Sequence, residues 1–196
     1  MKERPILFSG SMVRSILEGQ KTVTRRVVKD TGLYAIDAAI HGNEVAQRER
    51  EALSTRCPYG QPGDRLWVRE TWARVGTGDP GYLVYRATYP RCLPPVLENV
   101  PRDIRDEGYS WRPSIHMPRS ACRLLLEVTA VRVERLHDIN DDQCRAEGAT
   151  GGHGSIPGYI YNATVQEHFH HIWTSTGGDY DANPWVWVVE FQRVTP

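Results

Sequence analysis

The segment from Gly19 to Arg26 constrains the fold of this 196-residue chain most strongly. Ahead of it, Met12, Val13, Ile16 and Leu17 recur at helical spacing, which predicts a helix over residues 12–18 with one buried face. Gly19 follows at the position where a left-handed residue ends a helix. The β-branched residues after it predict a strand over 22–28. Helix and strand therefore meet in an abrupt turn.

Apolar and β-branched runs predict a chain rich in strands. Strands are predicted at residues 4–8, 65–70, 82–87, 122–136 and 185–191, of which 122–136 is either one bent strand or a strand pair. Short helices are predicted near 141–146 and 165–174, and the charged stretch 44–51 suits either a solvated helix or an excursion of the chain. We see neither an internal repeat nor a linker. The sequence therefore predicts one α+β domain over residues 1–196, a small mixed β-barrel with short flanking helices.

The charge balance restricts the kind of partner. Lys and Arg number 24, as do Asp and Glu, so the formal net charge is zero. A protein that grips long duplexes through their phosphates needs a clear excess of basic residues. This composition argues against that class, although clustered arginines still allow a local basic pocket.

The cysteines and the N-terminal sequence indicate the compartment. Cys57, Cys92, Cys122 and Cys144 are widely separated, and no pair has the spacing of a zinc knuckle. The first residues lack the apolar core of a signal peptide, and no stretch is long and apolar enough for a membrane helix. We predict a cytoplasmic protein with reduced thiols, no membrane association, no metal, no cofactor and no protein partner.

Lys21 and Thr24 are the first candidates for chemistry. A lysine in a partly buried pocket loses its charge more easily and can act as a base. A threonine hydroxyl becomes a nucleophile once such a base takes its proton. Arg25 and Arg26 add donors suited to phosphate or carbonyl oxygen. Local spacing alone favours a simple strand instead, with Thr22 and Thr24 in it for their β propensity and the basic residues solvated.

These residues resemble a known signature. Gly19, Lys21 and Arg26 match Gly-x-Lys-x-x-x-x-Arg, the signature of the ASCH family of PUA-like β-barrel domains. The resemblance continues in Gly63–Glu70, in 128–147 and in the final strand up to Phe191, and covers about two thirds of the chain. It implies a PUA-like barrel whose cleft handles RNA or a nucleoside.

One branch of the family implies an amidohydrolase that removes the acetyl group from N4-acetylcytidine. The lysine and threonine of that branch correspond to Lys21 and Thr24, and its glutamate corresponds to Glu147 at the end of a short helix. The implied roles are Thr24 as nucleophile, Lys21 as its base, and Glu147 as proton shuttle or orienter. Arg26 and nearby backbone donors would hold the carbonyl oxygen.

Two alternatives stay open. Another branch implies a ribonuclease on single-stranded RNA, in which the same lysine meets phosphate. The third reading is a non-catalytic RNA-binding module. The chain is longer than the compact amidohydrolases, with expected insertions at about 29–58 and 75–120 that resemble the phage and prophage forms. Its partner is therefore predicted to be a modified nucleoside or single-stranded RNA.

Further residues complete the predicted substrate-binding set, which is Gly19, Arg25, Arg26, Trp67 and Glu70. Trp67 is a candidate for stacking on a base, with a place in the core as the alternative. Glu70 faces either the same cleft or a neighbouring arginine. His168 and His171 share one helix face, and an ordinary surface helix explains them without a metal.

Overall fold

The computed structural model describes residues 1–29, 43–76, 78, 81–95 and 100–195. The strands in these ranges are β1 (Glu3–Leu7), β2 (Val23–Val27), β3 (Arg65–Arg69), β4 (Trp72–Val75), β5 (Tyr82–Tyr85), β6 (Leu125–Arg135), β7 (Gly152–His153), β8 (Asn162–Ala163) and β9 (Trp185–Val194). The α-helices are α1 (Gly10–Leu17), α2 (Asn43–Ser54), α3 (Asp141–Ala146) and α4 (Val165–Ser175). None of these helices has the length and apolarity to cross a membrane.

Five strands form the main sheet in the order β1–β3–β6–β9–β2. β1 runs parallel to β3, and the other neighbours in this sheet are antiparallel. The two-stranded ladders β4–β5 and β7–β8 lie outside it. The mixed α+β class predicted from the sequence is confirmed.

The main sheet is buried on both faces. On one face Val189 and Phe191 of β9 pack in a core with Val13 and Ile16 of α1. On the other face Val188 packs in a second core with the side chains of α3 and α4. Burial on both sides explains why β9 reads as a continuous apolar run instead of alternating with polar residues.

The described strands do not close into the barrel that the resemblance implies. β1 and β2 are the two edges of an open sheet. Between them lies Arg26, whose Nη2 donates to the carbonyl oxygen of Leu7 at 2.9 Å. The Arg26 side chain therefore bridges the gap that hydrogen bonds between β1 and β2 would have to close to form a barrel. The two edge strands form the walls of a cleft.

Most predicted elements are confirmed with small shifts at their ends. α1 begins at Gly10, ahead of the predicted start, because the Ser9 side chain accepts from the amide of Met12 and caps it. Gly19 has φ of 74°, the left-handed conformation expected at the helix end. The 122–136 stretch is one strand with a register shift between Val128 and Ala130, which bends it.

The described parts of the two expected insertions contain regular structure. Of the first, residues 30–42 lie outside the described ranges, and the rest holds α2. Of the second, residues 77, 79–80 and 96–99 lie outside them, and the rest holds β5 and short 3-10 turns. β4, which the sequence analysis missed, pairs with β5 around a small core of Ala73, Val84 and Ile104.

Candidate functional site

Lys21 and Glu147 form a buried ion pair. Lys21 Nζ lies 2.5 Å from Glu147 Oε2, and both side chains are at most 5% exposed. The ammonium also donates to the carbonyl oxygens of Val23 at 2.7 Å and Glu147 at 2.9 Å. All three of its protons are therefore donated to protein acceptors.

The backbone brings these distant residues together. Asn140 caps α3 through a reciprocal capping box with Gln143, and the helix ends at Glu147. The amide of Thr22 donates to the carbonyl oxygen of Ala146 at 2.8 Å, which docks the end of α3 against the start of β2. Gly148 follows with φ of 95°, and a Cβ there would lie 3.2 Å from Ser15. Glycine thus allows the chain to turn beside α1.

Burial changes the acid–base behaviour of Lys21. Desolvation lowers the pKa of the Lys21 ammonium, while the attraction of the Glu147 carboxylate opposes that shift. The positive charges of Arg26 and Arg25 lower the pKa further. Lys21 is therefore easier to deprotonate than a solvated lysine, as a general base requires.

Arg25 extends the pair into a chain of alternating charges. Its Nη1 lies 3.3 Å from Glu147 Oε1, and its Nη2 lies 2.6 Å from Glu134 Oε1. Glu134 Oε2 accepts from Arg132 Nε at 3.0 Å, and Arg132 Nη1 pairs with Glu190. The chain runs from the buried pair to the half-buried Glu190 and alternates in sign, so its formal charges cancel.

Thr24 is beside this network but not part of it. Its side chain is fully buried, and Oγ1 has no hydrogen-bond partner among the described residues. In β2, Thr24 and Arg25 point to opposite faces of the sheet. The structure therefore brings Lys21, Arg25 and Glu147 into contact and leaves the hydroxyl of Thr24 without a bond.

Arg26 lies at the mouth of the cleft. Its guanidinium carbon is 5.3 Å from the centroid of the Phe8 ring, over which Lys21 Nζ also lies at 5.8 Å. Besides Leu7, Arg26 donates through Nη1 to the carbonyl oxygen of Arg25 at 3.2 Å. Gly19 contributes through its backbone, because its left-handed turn directs the chain from α1 to Lys21.

Two adjoining cavities open onto this network. Cavity 1, of about 530 Å³, is lined in part by Arg25, Arg26 and Lys29, and among the residues that the structure describes no Asp or Glu lines it. Cavity 2, of about 430 Å³, reaches Glu147 and the imidazoles of His168 and His171. Ser9, Met12 and Thr176 line both cavities, so the two spaces lie on either side of the N-terminal end of α1.

Two of the predicted binding residues, Glu70 and Trp67, lie outside the linings of cavity 1 and cavity 2. Glu70 is 1% exposed and accepts a two-pronged pair from Arg123, at 2.8 Å from Nε and 2.9 Å from Nη2. Glu70 therefore pairs with a neighbouring arginine, which is one of the two roles predicted for it. Trp67 is half-buried in β3, stacks with Arg69, and is not part of the lining of cavity 1 or cavity 2.

The outer part of the charge chain was not predicted from the sequence. Arg132 and Glu134 alternate with Val131 and Val133 in β6, a polar face that signals a partner across the sheet. The identity of that partner, Arg25, depends on the strand order. No signal in the sequence links these strands directly.

His168 of α4 bonds the loop that follows α3. His168 Nδ1 accepts from the amides of Thr150 and Gly151 at 3.1 and 3.2 Å. Burial lowers the pKa of this imidazole. Within the described ranges, no three His, Cys, Asp or Glu side chains are grouped as metal ligands.

Comparison with known proteins gives one structural likeness. No family model matches the chain, and no curated protein matches it. The crystal structure of an ASCH domain from Lactobacillus crispatus JV V101 is similar, with a TM-score of 0.39 and 11% sequence identity. The alignment covers 100% of this chain and 81% of that one.

Proposed function

We propose that this protein is a hydrolase of a modified nucleoside, free or within RNA, and that it removes the acetyl group of N4-acetylcytidine. The observation that supports this most is the buried Lys21–Glu147 pair beside the unbonded hydroxyl of Thr24. A buried ion pair is weak evidence for stability, because desolvation offsets its attraction. A lysine whose pKa is shifted by burial beside a charged partner is instead typical of catalytic sites.

The chemistry begins with a proton transfer inside the pair. One proton moves from Lys21 Nζ to Glu147, which leaves a neutral amine and a carboxylic acid. Burial favours the neutral amine by lowering the pKa of Lys21. The amine then takes the proton of Thr24, whose oxygen attacks the acetyl carbonyl.

The remaining steps consume one molecule of water and need no other reactant. The carbon–nitrogen bond breaks, the proton held by Lys21 passes to the leaving amine of cytidine, and the acetyl group remains on Thr24 as an ester. Water then hydrolyses this ester, releases acetate and restores the hydroxyl. Arg26, at the edge of cavity 1, supplies positive charge for the carbonyl oxygen as it becomes negative.

This mechanism requires a small rearrangement when substrate binds. Lys21 Nζ makes all its present bonds to Val23 and Glu147. It must release one of them to reach Thr24 at hydrogen-bond distance. Such bonds commonly tighten only in the substrate complex.

The volumes of cavity 1 and cavity 2, about 530 and 430 Å³, fall in the usual range for small-molecule sites.

The lining of cavity 1 favours a second candidate function, a non-catalytic RNA-binding module. Arg25, Arg26 and Lys29 suit phosphate, and a binder has no use for an activated hydroxyl. Under this alternative the Lys21–Glu147 pair serves only to order the cleft.

Incubation with two substrates separates the candidates. The protein is mixed with N4-acetylcytidine and, separately, with single-stranded RNA, and the products are identified by mass spectrometry. Release of cytidine and acetate supports the proposed hydrolase, and shortened RNA fragments indicate a ribonuclease instead. Binding of labelled RNA without either product supports the non-catalytic RNA-binding module.

A further inference from the structure

A third cavity continues the groove along α1. Cavity 3, of about 350 Å³, shares Arg14 and Glu18 of the α1 region with cavity 2. Cavity 2 in turn shares Ser9, Met12 and Thr176 with cavity 1. The three spaces therefore adjoin one another in sequence, with the Lys21–Glu147 pair beside the middle one.

Cavity 3 contains three arginines. Arg14 and Arg123 line it together with Arg91, which is exposed in the turn after β5. Among the described residues, Glu18 is the one carboxylate that lines it. The set of cations matches the chemistry that binds phosphate oxygens through charge-assisted hydrogen bonds.

Arg123 is held in place by its neighbours. Glu70 accepts from its Nε and Nη2, and Thr88 Oγ1 accepts from Nη1 at 2.9 Å. Its guanidinium carbon lies 4.0 Å from the centroid of the Tyr85 ring. An arginine whose three guanidinium nitrogens all donate hydrogen bonds to the protein loses little conformational entropy when it binds a ligand. Glu70 is thus a positioning residue for Arg123.

We propose that cavity 3 is a phosphate subsite, and that the substrate of this protein is a single-stranded nucleic acid instead of a free nucleoside. The proposal rests on the proposed function, because it places the reacting base beside Lys21 and a phosphate of the same strand at Arg14, Arg91 and Arg123. A free nucleoside fills one cavity and has no phosphate for cavity 3. The zero net charge fits one short strand better than a long duplex.

The test measures binding apart from catalysis. A fluorescein-labelled single-stranded oligonucleotide is titrated with the full chain, and anisotropy is followed at several salt concentrations. Arg91→Ala is compared with Arg86→Ala, which removes the same charge from an exposed arginine at the start of the same turn but outside the lining of cavity 3. Turnover of N4-acetylcytidine nucleoside is measured for both variants.

We expect Arg91→Ala to weaken oligonucleotide binding by about tenfold, as for loss of one charge-assisted contact. Its salt dependence should also fall by about 0.7 in log–log slope. Arg86→Ala should bind like the wild type, and both variants should retain wild-type nucleoside turnover.

Two results would overturn the subsite. One is equal binding by the two variants, and the other is wild-type protein that hydrolyses the nucleoside but does not bind the oligonucleotide. The proposed hydrolase fails separately, if the nucleoside is not hydrolysed. In that case an Arg91-dependent loss of binding still supports the phosphate subsite.

Discussion

Lys21 Nζ contacts Glu147 Oε2 at 2.5 Å although 126 positions separate the two residues along the chain. The contact is buried, and it joins the turn after α1 to the end of α3. Without Glu147 the Lys21 ammonium would be buried with no carboxylate beside it, and without Lys21 the Glu147 carboxylate would keep only its longer contact to Arg25. The predictions below separate its catalytic role from its contribution to stability.

Substitution of Thr24 separates an effect on catalysis from an effect on stability. Thr24→Val replaces a buried hydroxyl that makes no hydrogen bond with a methyl group of similar size. We expect the free energy of unfolding to rise by about 1 kcal/mol, since an unpaired polar group no longer has to be buried. Hydrolysis of N4-acetylcytidine should be lost. Denaturant unfolding and product release measure the two effects.

Thr24→Ser is the matched control, because it keeps the hydroxyl and removes only the methyl group. Its stability should fall by about 1 kcal/mol, while hydrolysis continues. Full activity of Thr24→Val would remove Thr24 as nucleophile.

The buried pair is tested by a double-mutant cycle. Lys21→Met and Glu147→Leu should each lower the free energy of unfolding by about 3–5 kcal/mol, because the first leaves Glu147 with only its longer contact to Arg25 and the second leaves Lys21 without a carboxylate. The double variant should recover most of that loss, since it places two apolar side chains together. All three should lack hydrolytic activity. Additive losses in the double variant would contradict this account of the pair.

The lowered pKa of Lys21 predicts a pH dependence of stability. Between its pKa in the folded chain and about 10.5 in the unfolded chain, the unfolded state holds the additional proton. The free energy of unfolding therefore rises with pH through that window, relative to a chain without this lysine. Urea unfolding of wild type and Lys21→Met from pH 7 to 10 should show a steeper rise for the wild type.

Lys29→Met, at an exposed lysine of cavity 1, is the control and should follow the wild-type slope. Parallel curves for wild type and Lys21→Met would mean that burial does not shift the Lys21 pKa.

Cys144 should resist alkylation in the folded protein. Burial raises the pKa of its thiol to about 11, so little thiolate forms at pH 8. Cys92 is only partly buried. Peptide mapping after iodoacetamide treatment should show Cys92 labelled well before Cys144, with both labelled after denaturation. Equal rates in the folded chain would indicate that the core around α3 opens readily.

The local structure was largely predictable from the sequence. The helix stop at Gly19, the strand that follows it and the continuous apolar run of β9 all depend on short-range preferences for backbone conformation and burial. The resemblance to a family signature predicted that Lys21 and Glu147 belong to one site. The structure brings them into contact, and their catalytic roles stay predictions.

Tertiary structure decided the contacts that no local pattern encodes. Whether Arg25 meets Glu134 depends on β9 lying between β2 and β6, and a strand order leaves no trace in either strand alone. The contact of Arg26 with Leu7 likewise depends on the sheet, which places β2 and β1 at its two edges. Periodicity and capping act over a few residues, whereas the cleft forms from segments that meet only after the sheet has assembled.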